Sequence, residues 1–582
     1  MDGMQRLRSY LWRYWRRYLL GVFCLFGTAT LVMTIPWWIR AGVSRLEQGG
    51  PMEDVAFYAL VIAGSALAQG VVRTFSRFVI FNVGREVEYD LRNDLFAHLL
   101  KLSLSYYHTQ RTGDLMSRVI NDISSVRLLL GPGILNLINA PLYYLYAIVL
   151  MFSMDVRMTL VVLLIYPILI WAFRNFRGRI QRVSLKVQQQ MSALSSHVQE
   201  NLSGMHVVKA YAREQNQTLQ FVELNDEYQK RNMDMARLRG LITPFMQAVS
   251  GLTILIVIWY GGIRVVAGDL MIADLVAFIA YLNILAWPTA AFGWMLALVE
   301  RGRAAMERLE EVFKAEPEII SPSRPLPPGD STDGIEFCNV CFTYEGPANG
   351  AEVLKNINFK LPYGRKLGIV GRTGAGKSTL AQLIPRLYDV TSGEIRVGGR
   401  DVRSLSLSKL RRLVGFVPQD PFLFSTSLES NLAFGEEGAS RKDIEEAVRV
   451  ARLDRDVEIF PQGLGTIVGE RGVALSGGQK QRATLGRTLL LNPPIIILDD
   501  CLSSVDAQTE DEILQGLRGA LEGKTCIIIS HRISAVKDSD EILVLDEGEI
   551  VERGNHQALL QVGGIYADIH QQQQLSEELE RI

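Results

Sequence analysis

Long stretches without Asp, Glu, Lys or Arg recur through the first 300 residues. A charged side chain at the centre of a bilayer costs roughly 2.5 kcal/mol or more, and about 20 apolar residues span one, so these stretches predict membrane helices. Arg157 and Arg174 flank the shortest stretch, and both can snorkel to the headgroups. Six stretches are present, at 18–39, 55–72, 128–154, 158–173, 240–263 and 275–299.

Two of the segments between these stretches are long, charged and periodic in the manner of helices. About 55 residues separate the second and third stretches, and about 65 separate the fourth and fifth. Each segment is predicted to form a helical hairpin. Arms of about 25 residues would extend roughly 35–40 Å beyond the bilayer. The first half is therefore predicted to be an all-α, six-helix transmembrane domain with long cytoplasmic helical hairpins.

The distribution of positive charge predicts the orientation. Arg6, Arg8, Arg13, Arg16 and Arg17 precede the first span, and such residues favour the cytoplasmic side. We expect a multi-pass protein of the cell inner (cytoplasmic) membrane, with the N-terminus and the second half in the cytoplasm. The surrounding lipid bilayer is one expected partner, and the net charge of −1 argues against nucleic acid as another.

After residue 300 the pattern changes to short β-rich apolar runs that alternate with charged helical segments. The change predicts a soluble α/β domain. We place the transmembrane domain at 1–315, a proline-rich linker at 316–334 and the α/β domain at 335–582. The glutamine-rich end, "HQQQQLSEELERI", is interpreted as a solvated, frayed helix.

The segment "KLGIVGRTGAGKSTL" reads as a strand, a glycine-rich turn and the start of a helix. It contains G-x-x-x-x-G-K-S from Gly371 to Ser378. In this motif backbone N–H groups close around phosphate oxygens, while Lys377 reaches the β and γ phosphates and Ser378 ligates Mg²⁺. The segment predicts a P-loop nucleotide-binding domain that binds ATP with Mg²⁺.

A second acidic motif supports this prediction. "PPIIILDD" is a buried-strand pattern that ends in Asp499 and Asp500. Asp499 has the position from which an acid holds Mg²⁺ through water. A phosphate loop followed by such a strand is typical of a nucleoside triphosphatase.

The segment "ALSGGQKQR" determines the family. With it, residues from about 333 to 570 resemble ATP-binding cassette proteins, and the six preceding spans make the whole chain resemble an ATP-binding cassette (ABC) exporter half-transporter of the multidrug/lipid exporter type. Tyr344 in "FTYEG", Gln419 in "GFVPQDPFLF", "SSVDAQ" at 503–508 and His531 in "ISHRIS" follow the family order.

The resemblance implies roles for particular residues. Tyr344 is expected to stack on adenine, Gln419 to report γ-phosphate and Mg²⁺ occupancy, and His531 to hold the γ-phosphate and orient water. Asp500, His531 and Gln419 are the candidate catalytic residues, and Ser378, Gln419 and Asp499 the candidate Mg²⁺ residues. The full nucleotide-binding set is Tyr344, Gly371, Arg372, Thr373, Gly374, Ala375, Gly376, Lys377, Ser378, Thr379, Gln419 and Asp499.

The resemblance also implies a dimer and a route of communication. In the family, the signature residues contact ATP on the opposite cassette; here they are Ser476, Gly477, Gly478 and Gln479. One chain therefore supplies half of each site. Residues 106–123 and 200–215 resemble the two coupling segments of the membrane domain, and "IVGERG" at 467–472 is expected to contact the hairpins.

Asp500 departs from the family pattern, in which glutamate usually occupies this position. The shorter side chain withdraws the carboxylate by roughly 1.5 Å, and a displacement of about 1 Å can lower a rate about 100-fold. We expect an ATPase coupled to transport whose own Walker site is slow. The intact signature favours a heterodimer in which a second half-transporter supplies the catalytic glutamate; a homodimer with an atypical base is the alternative.

The expected function is ATP-driven export of hydrophobic or amphiphilic compounds by alternating access, as in multidrug-type efflux. Two alternatives are a flippase for a lipid or lipid-linked glycan, for which Arg73 and Arg77 would bind the headgroup, and an ATP-gated channel or regulator. Aromatic residues of the spans are expected either to line the path of the small hydrophobic or amphiphilic substrate or to anchor the helices in lipid. They are Tyr143, Tyr144, Tyr146, Trp287, Phe292 and Trp294.

Overall fold

The computed structural model of the protein describes residues 3–164, 166–327, 333–344, 352–436, 438–469, 473–503 and 507–580. It divides into two compact units. The first comprises Met1–Leu99 with Gly113–Lys314, and the second comprises Leu100–Thr112 with Ala315–Ile582. Thus a short stretch of the first predicted hairpin belongs to the unit that contains the second half of the chain. Part of the predicted linker, 328–332, lies outside the described residues.

The first half of the chain is helical throughout its described residues, apart from short turns. Its helices are α1 Gly3–Arg13, α2 Trp15–Glu47, α3 Met52–Leu99, α4 Leu104–Thr109, α5 Thr112–Ser117, α6 Ile123–Leu128, α7 Ile134–Met154, α8 Val156–Leu163, α9 Tyr166–Ser203, α10 Met205–Ala210, α11 Glu214–Val266 and α12 Ile272–Lys314. Two π-helical turns, Arg118–Asp122 and Leu129–Gly133, join α5, α6 and α7. With 48 residues, α3 is about 72 Å long.

Five helical segments are long and apolar enough to cross a membrane within the described residues. They are Trp15–Glu47, Met52–Leu99, Thr112–Met154, Gln247–Val266 and Ile272–Lys314, and each contains most or all of one predicted span. The remaining predicted span, 158–173, falls on α8 and the start of α9. It includes residue 165, which lies outside the described residues.

Helices α2 and α3 pack closely. Leu25, Ala29 and Met33 recur every four residues on α2 and are buried. One turn earlier, a Cβ added to Gly21 would lie 2.5 Å from Ile80 Cγ1 on α3, so a larger residue would force the helices apart. The small residue therefore permits this close approach of α2 and α3.

The N-terminal helix α1 is held by polar contacts within the first unit. Arg6 Nε donates to the buried carboxylate of Glu310 on α12 at 2.6 Å. Tyr10 Oη donates to Asp94 Oδ2 on α3 at 2.5 Å. Helix α1 thus links α3 to α12 within this unit.

The second unit contains two sheets. Its strands are β1 Ile335–Thr343, β2 Glu352–Leu361, β3 Lys366–Gly371, β4 Ser392–Val397, β5 Arg400–Asp401, β6 Val414–Val417, β7 Ile495–Asp499, β8 Thr525–Ile529, β9 Glu541–Asp546 and β10 Glu549–Gly554. An antiparallel sheet has the order β2-β1-β4-β5. The larger sheet has the order β10-β9-β3-β8-β7-β6 and is parallel except for β10.

Besides its two sheets, the second unit contains further helices, several of which connect the parallel strands of the larger sheet. They are α13 Lys377–Leu383, α14 Leu407–Leu413, α15 Leu428–Leu432, α16 Arg441–Val450, α17 Asp454–Ile459, α18 Gly477–Leu490, α19 Ala507–Ala520, α20 Ile533–Val536, α21 His556–Val562 and α22 Ile565–Glu580. Strands β3, β8 and β7 are neighbours, so their carboxyl ends meet at one edge. Ligands of open parallel sheets bind in the crevice at that edge.

The C-terminal helix α22 is packed at its start, before the glutamine-rich end; the glutamines that follow, Gln573 apart, are exposed, as expected of a solvated helix end. Tyr566 is fully buried against an apolar cluster that includes Val370 and Ile533, and its hydroxyl bonds to His556 Nδ1 at 2.7 Å. The segment is too short for its apolar spacing to reveal this face in the sequence. The start of α22 is therefore part of the core of the second unit.

Candidate functional site

The phosphate loop joins β3 to α13 in the strand-turn-helix form that its sequence predicts. Its conformation depends on glycine: Gly374 and Gly376 have φ of +86° and +95°, which L side chains rarely adopt. A Cβ on Gly374 would meet no atom within 4 Å. The loop therefore opens toward the cleft at Gly374, which leaves room for a phosphate group beside the N-terminus of α13.

Lys377 is folded back against this loop. Its Nζ donates to the carbonyl oxygens of Gly371 at 2.8 Å and Arg372 at 2.9 Å, and the residue is buried. Burial lowers the pKa of the ammonium group, and the charges of Asp500 and Asp499 act in the opposite direction. The carbonyl oxygens hold the ammonium group at the entrance of the loop.

Ser378 and Asp499 are brought together as a candidate metal site. Ser378 Oγ donates to Asp499 Oδ1 at 3.1 Å, although the two residues are 121 positions apart. Burial raises the pKa of Asp499 to about 6. A hydroxyl and a buried carboxylate are the hard oxygen donors that Mg²⁺ prefers, so this pair fits the expected ion.

Asp500 lies beside this pair at the end of β7 with a left-handed backbone, φ +45°. Its carboxylate accepts from Gln419 Nε2 and from the backbone N–H of His531, each at 3.5 Å. These distances are at the outer limit of hydrogen bonding, so the contacts are weak. Burial, followed by the charge of Lys377, lowers the pKa of the His531 side chain.

A cleft of about 200 Å³ unites most of the predicted residues. Three chain segments contribute its polar groups: the phosphate loop, the Gln419 loop and the ends of β7 and β8. The lining consists of Val353, Thr373, Gly374, Ala375, Gly376, Lys377, Ser378, Thr379, Gln419, Asp499, Asp500, Ile529 and His531. The cleft presents backbone N–H groups, one ammonium group and an acidic pair, which suits a nucleoside triphosphate with a divalent cation.

Tyr344 lies next to this cleft and does not line it. Its hydroxyl bonds to Thr379 Oγ1 at 3.0 Å, and its ring meets that of Tyr388 edge to face at 5.3 Å between centroids. The ring is partly exposed in a neighbouring cavity of about 980 Å³. The structure thus places the predicted adenine-stacking residue beside the phosphate loop.

The signature residues lie outside the cleft. Ser476 caps α18: its hydroxyl accepts from the backbone N–H of Gln479 at 3.2 Å, and Gln479 Oε1 accepts from the backbone N–H of Ser476 at 2.9 Å. This reciprocal capping leaves Gly477 and Gly478 at the first two helical positions. In "IVGERG" and "SSVDAQ", residues 470–472 and 504–506 lie outside the described residues.

The stretch Leu100–Thr112 is docked within the second unit. Ser103 Oγ accepts from the backbone N–H groups of Glu318 and Ile319, each at 3.1 Å. His108 Nε2 forms a hydrogen bond with Tyr388 Oη at 2.8 Å. Sequence reasoning missed Tyr388, which contacts both Tyr344 and the first predicted coupling segment. The second segment contains α10, between α9 and α11.

A phosphate loop after β3 and an acidic pair at the end of β7, with β8 between the two strands, define a P-loop ATPase domain, here in a chain with a helical membrane-spanning half. The sequence profile of the ABC transporter transmembrane region matches residues 18–289, and that of the ABC transporter ATP-binding domain matches 354–503. The chain belongs to the ABC transporter family, as an exporter half-transporter with fused transmembrane and ATP-binding domains. It is a multi-pass membrane ATPase that couples ATP binding and hydrolysis to export, and such half-transporters act as dimers.

Related proteins of known sequence or structure support this assignment. The multidrug resistance-like ATP-binding protein MdlA of Escherichia coli is 36% identical over 99% of this chain and 97% of its own length. The ATP-dependent lipid A-core flippase of Syntrophus aciditrophicus is 30% identical over 98% of this chain and 95% of its own. A bacterial Atm1-family ABC exporter with ATP bound superimposes with a TM-score of 0.80 at 27% identity, over 96% of this chain and 98% of that chain. The predicted family and fold class are confirmed.

Proposed function

We propose that this chain is one subunit of a heterodimeric exporter that moves hydrophobic or amphiphilic compounds out across the cytoplasmic membrane. The ATP site built on this chain's own phosphate loop binds ATP and hydrolyses it slowly. The faster site combines this chain's signature residues with the partner subunit's phosphate loop. The observation that carries the heterodimer is Asp500. This short carboxylate is engaged only weakly by its neighbours, while the signature turn is fully capped.

The polar groups of the cleft support the assignment of roles in ATP binding. Backbone N–H groups at the start of α13 face the phosphates, and Lys377 exchanges its carbonyl partners for β- and γ-phosphate oxygens. Ser378 and Asp499, joined by a hydrogen bond, hold Mg²⁺ together with Gln419. When bound, Mg²⁺ neutralises charge that develops on the phosphates.

The signature residues support a contact with a second cassette. Ser476 and Gln479 satisfy each other's N–H groups, so the remaining donors and the positive end of the α18 dipole are available to an anion. These residues do not line the chain's own cleft. A γ-phosphate held by a second subunit is the anion that they bind in the proposed dimer.

Substrate class is inferred from the transmembrane unit and from the relatives. Trp287 and Trp294 are both exposed on α12 and lie seven positions apart, so they share one helix face. Tyr143 is buried in α7. The multidrug resistance-like relative supports export of amphiphilic compounds as the function.

The test compares this chain alone with this chain purified beside a second half-transporter that carries glutamate at the position of Asp500. Both are reconstituted in nanodiscs, and ATP turnover is measured with and without amphipathic dyes. We expect slow turnover from the lone chain, and fast, dye-stimulated turnover from the pair. Rapid hydrolysis by the lone chain that is lost on Asp500→Asn would refute the heterodimer.

A flippase is the second candidate, and one pair of residues favours it. Arg73 and Arg77 are exposed one helical turn apart on α3, where they could hold an anionic headgroup. A lipid A-core flippase is among the relatives. A fluorescent anionic lipid analogue in proteoliposomes tests this: flipping that is lost in the Arg73→Ala, Arg77→Ala double variant would favour the flippase over the exporter of dyes.

A further inference from the structure

The C-terminal helix α22 reaches the loop that carries His531. Gln573 Nε2 donates to the carbonyl oxygen of His531, and Gln573 Oε1 accepts from the backbone N–H of Ile533 at 2.9 Å. One side-chain amide thus bonds the backbone on both sides of Arg532. We propose that Gln573 is a positioning residue that sets the orientation of His531 toward the terminal phosphate of ATP.

Helix α22 is anchored firmly enough to serve as a support. Glu552 accepts from the backbone N–H groups of Ile565 and Tyr566 at its first turn, where a carboxylate also complements the helix dipole. A Cβ on Gly564 would lie 2.2 Å from Glu552 Oε1, so a larger residue here would displace this carboxylate. Tyr566 and Ile569 then pack into the apolar cluster, on the same helix face as Gln573.

The other contacts of the loop hold the residues on either side of His531, including a hydrogen bond from the Arg532 N–H to Ser530 Oγ at 2.9 Å. Ser530 is bonded to β3 through its N–H, which donates to the carbonyl of Ile369 at 3.2 Å. Beyond the histidine, Arg532 pairs with the buried carboxylate of Glu510. His531 itself is exposed, and among the described residues its N–H contacts only the Asp500 carboxylate, at the long distance of 3.5 Å. The bond from Gln573 is therefore the contact that holds its carbonyl oxygen.

The two hydrogen bonds made by Gln573 require a particular kind of side chain at this position. Only a side chain that donates and accepts at once satisfies both the carbonyl of His531 and the N–H of Ile533. Gln572 and Gln574, its neighbours, are exposed. The glutamine-rich end thus contains one residue with a structural partner at the ATP site, flanked by identical residues that serve as controls. The inference depends on the proposed role of His531.

The test measures how well this chain's ATP site distinguishes ATP from ADP. The purified transporter is photolabelled with 8-azido-ATP, and unlabelled ATP or ADP competes; the labelled chain is resolved by an affinity tag. Because only ATP has the γ-phosphate, Gln573→Leu is expected to reduce the ATP preference about fivefold, the equivalent of one hydrogen bond. ADP affinity stays within about twofold, which a general loss of folding would not allow.

Three comparisons make the outcome decisive. Gln572→Leu is expected to leave the preference for ATP over ADP unchanged. Gln573→Glu, which keeps only the hydrogen-bond acceptor, should lose part of this preference. In a His531→Ala background, Gln573→Leu should cause no further loss of preference. If Gln573→Leu keeps a normal preference for ATP over ADP while His531→Ala reduces it, the inference about Gln573 is overturned and the proposed role of His531 stands. A normal preference in His531→Ala overturns the proposed role of His531 and the inference with it.

Discussion

Replacing Asp500 with glutamate tests the origin of the proposed slow site directly. In the structure the Asp500 carboxylate lies 3.5 Å from both Gln419 Nε2 and the backbone nitrogen of His531, each on another chain segment. Asp500→Glu keeps the charge and adds one methylene group. The carboxylate then extends by roughly 1.5 Å into the cleft, where the attacking water is expected.

The size of the effect follows from two opposing contributions. A 1 Å error in the position of a catalytic group costs about 100-fold, or about 2.7 kcal/mol of activation free energy. Extending the side chain gives up two weak hydrogen bonds, which costs about 0.5–1 kcal/mol. The net gain of about 2 kcal/mol corresponds to a rise in turnover of about 30-fold.

Single-turnover hydrolysis by the purified chain in nanodiscs measures this rise. Asp499→Glu is the matched control: it adds the same methylene group to an almost fully buried neighbour, where overpacking costs about 1–3 kcal/mol, so it should lower turnover. An Asp500→Glu variant that binds ATP normally and hydrolyses it no faster than the unmodified chain would refute the reasoning.

Three further predictions concern the same unit. Burial raises the pKa of Asp499 to about 6, above its unfolded value of about 4. This residue therefore stabilises the empty cassette at low pH, and the stabilisation is lost as pH rises through about 6. Thermal unfolding in the absence of Mg²⁺ should record this loss. Tyr388→Phe removes the hydroxyl that bonds to His108 and should lower dye stimulation of ATPase about fivefold, with basal turnover unchanged. Glu510→Gln breaks the ion pair with Arg532 and should lower the unfolding free energy by about 1–3 kcal/mol, measured from the unfolding midpoint.

Each of these predictions has a matched control. Asp499→Asn should remove the pH dependence assigned to Asp499, and an unchanged dependence would contradict the assignment. Tyr363→Phe, at a partly exposed tyrosine of the same unit, should leave dye stimulation intact. Glu512→Gln alters looser pairs at 3.7 and 3.8 Å and should cost less than about 1 kcal/mol, so an equal loss would argue against the Glu510 pair.

Features that depend on contiguous residues could be predicted from the sequence. Five of the predicted spans coincide with long apolar helices, because helix length and hydropathy are local properties. The phosphate loop has the predicted form, because its glycines, Lys377 and Ser378 lie within eight positions of one another. The family followed from such local motifs, which do not require knowledge of the packing.

Contacts between residues far apart in the chain could not be predicted from the sequence. The order of β3, β8 and β7 brings Ser378 to Asp499 and His531 to Asp500, and no local pattern encodes that order. The docking of residues 100–112 in the second unit likewise depends on packing.

The glutamine-rich end shows most clearly what the sequence predicts and what only the packing determines. Its composition predicts a helix, and α22 is one, but four adjacent glutamines look alike in the sequence. Only the packed helix selects Gln573, because the burial of Tyr566 and Ile569 fixes which face meets the loop at the end of β8. Local propensity determined the element, and long-range packing determined which of its side chains reaches the ATP site.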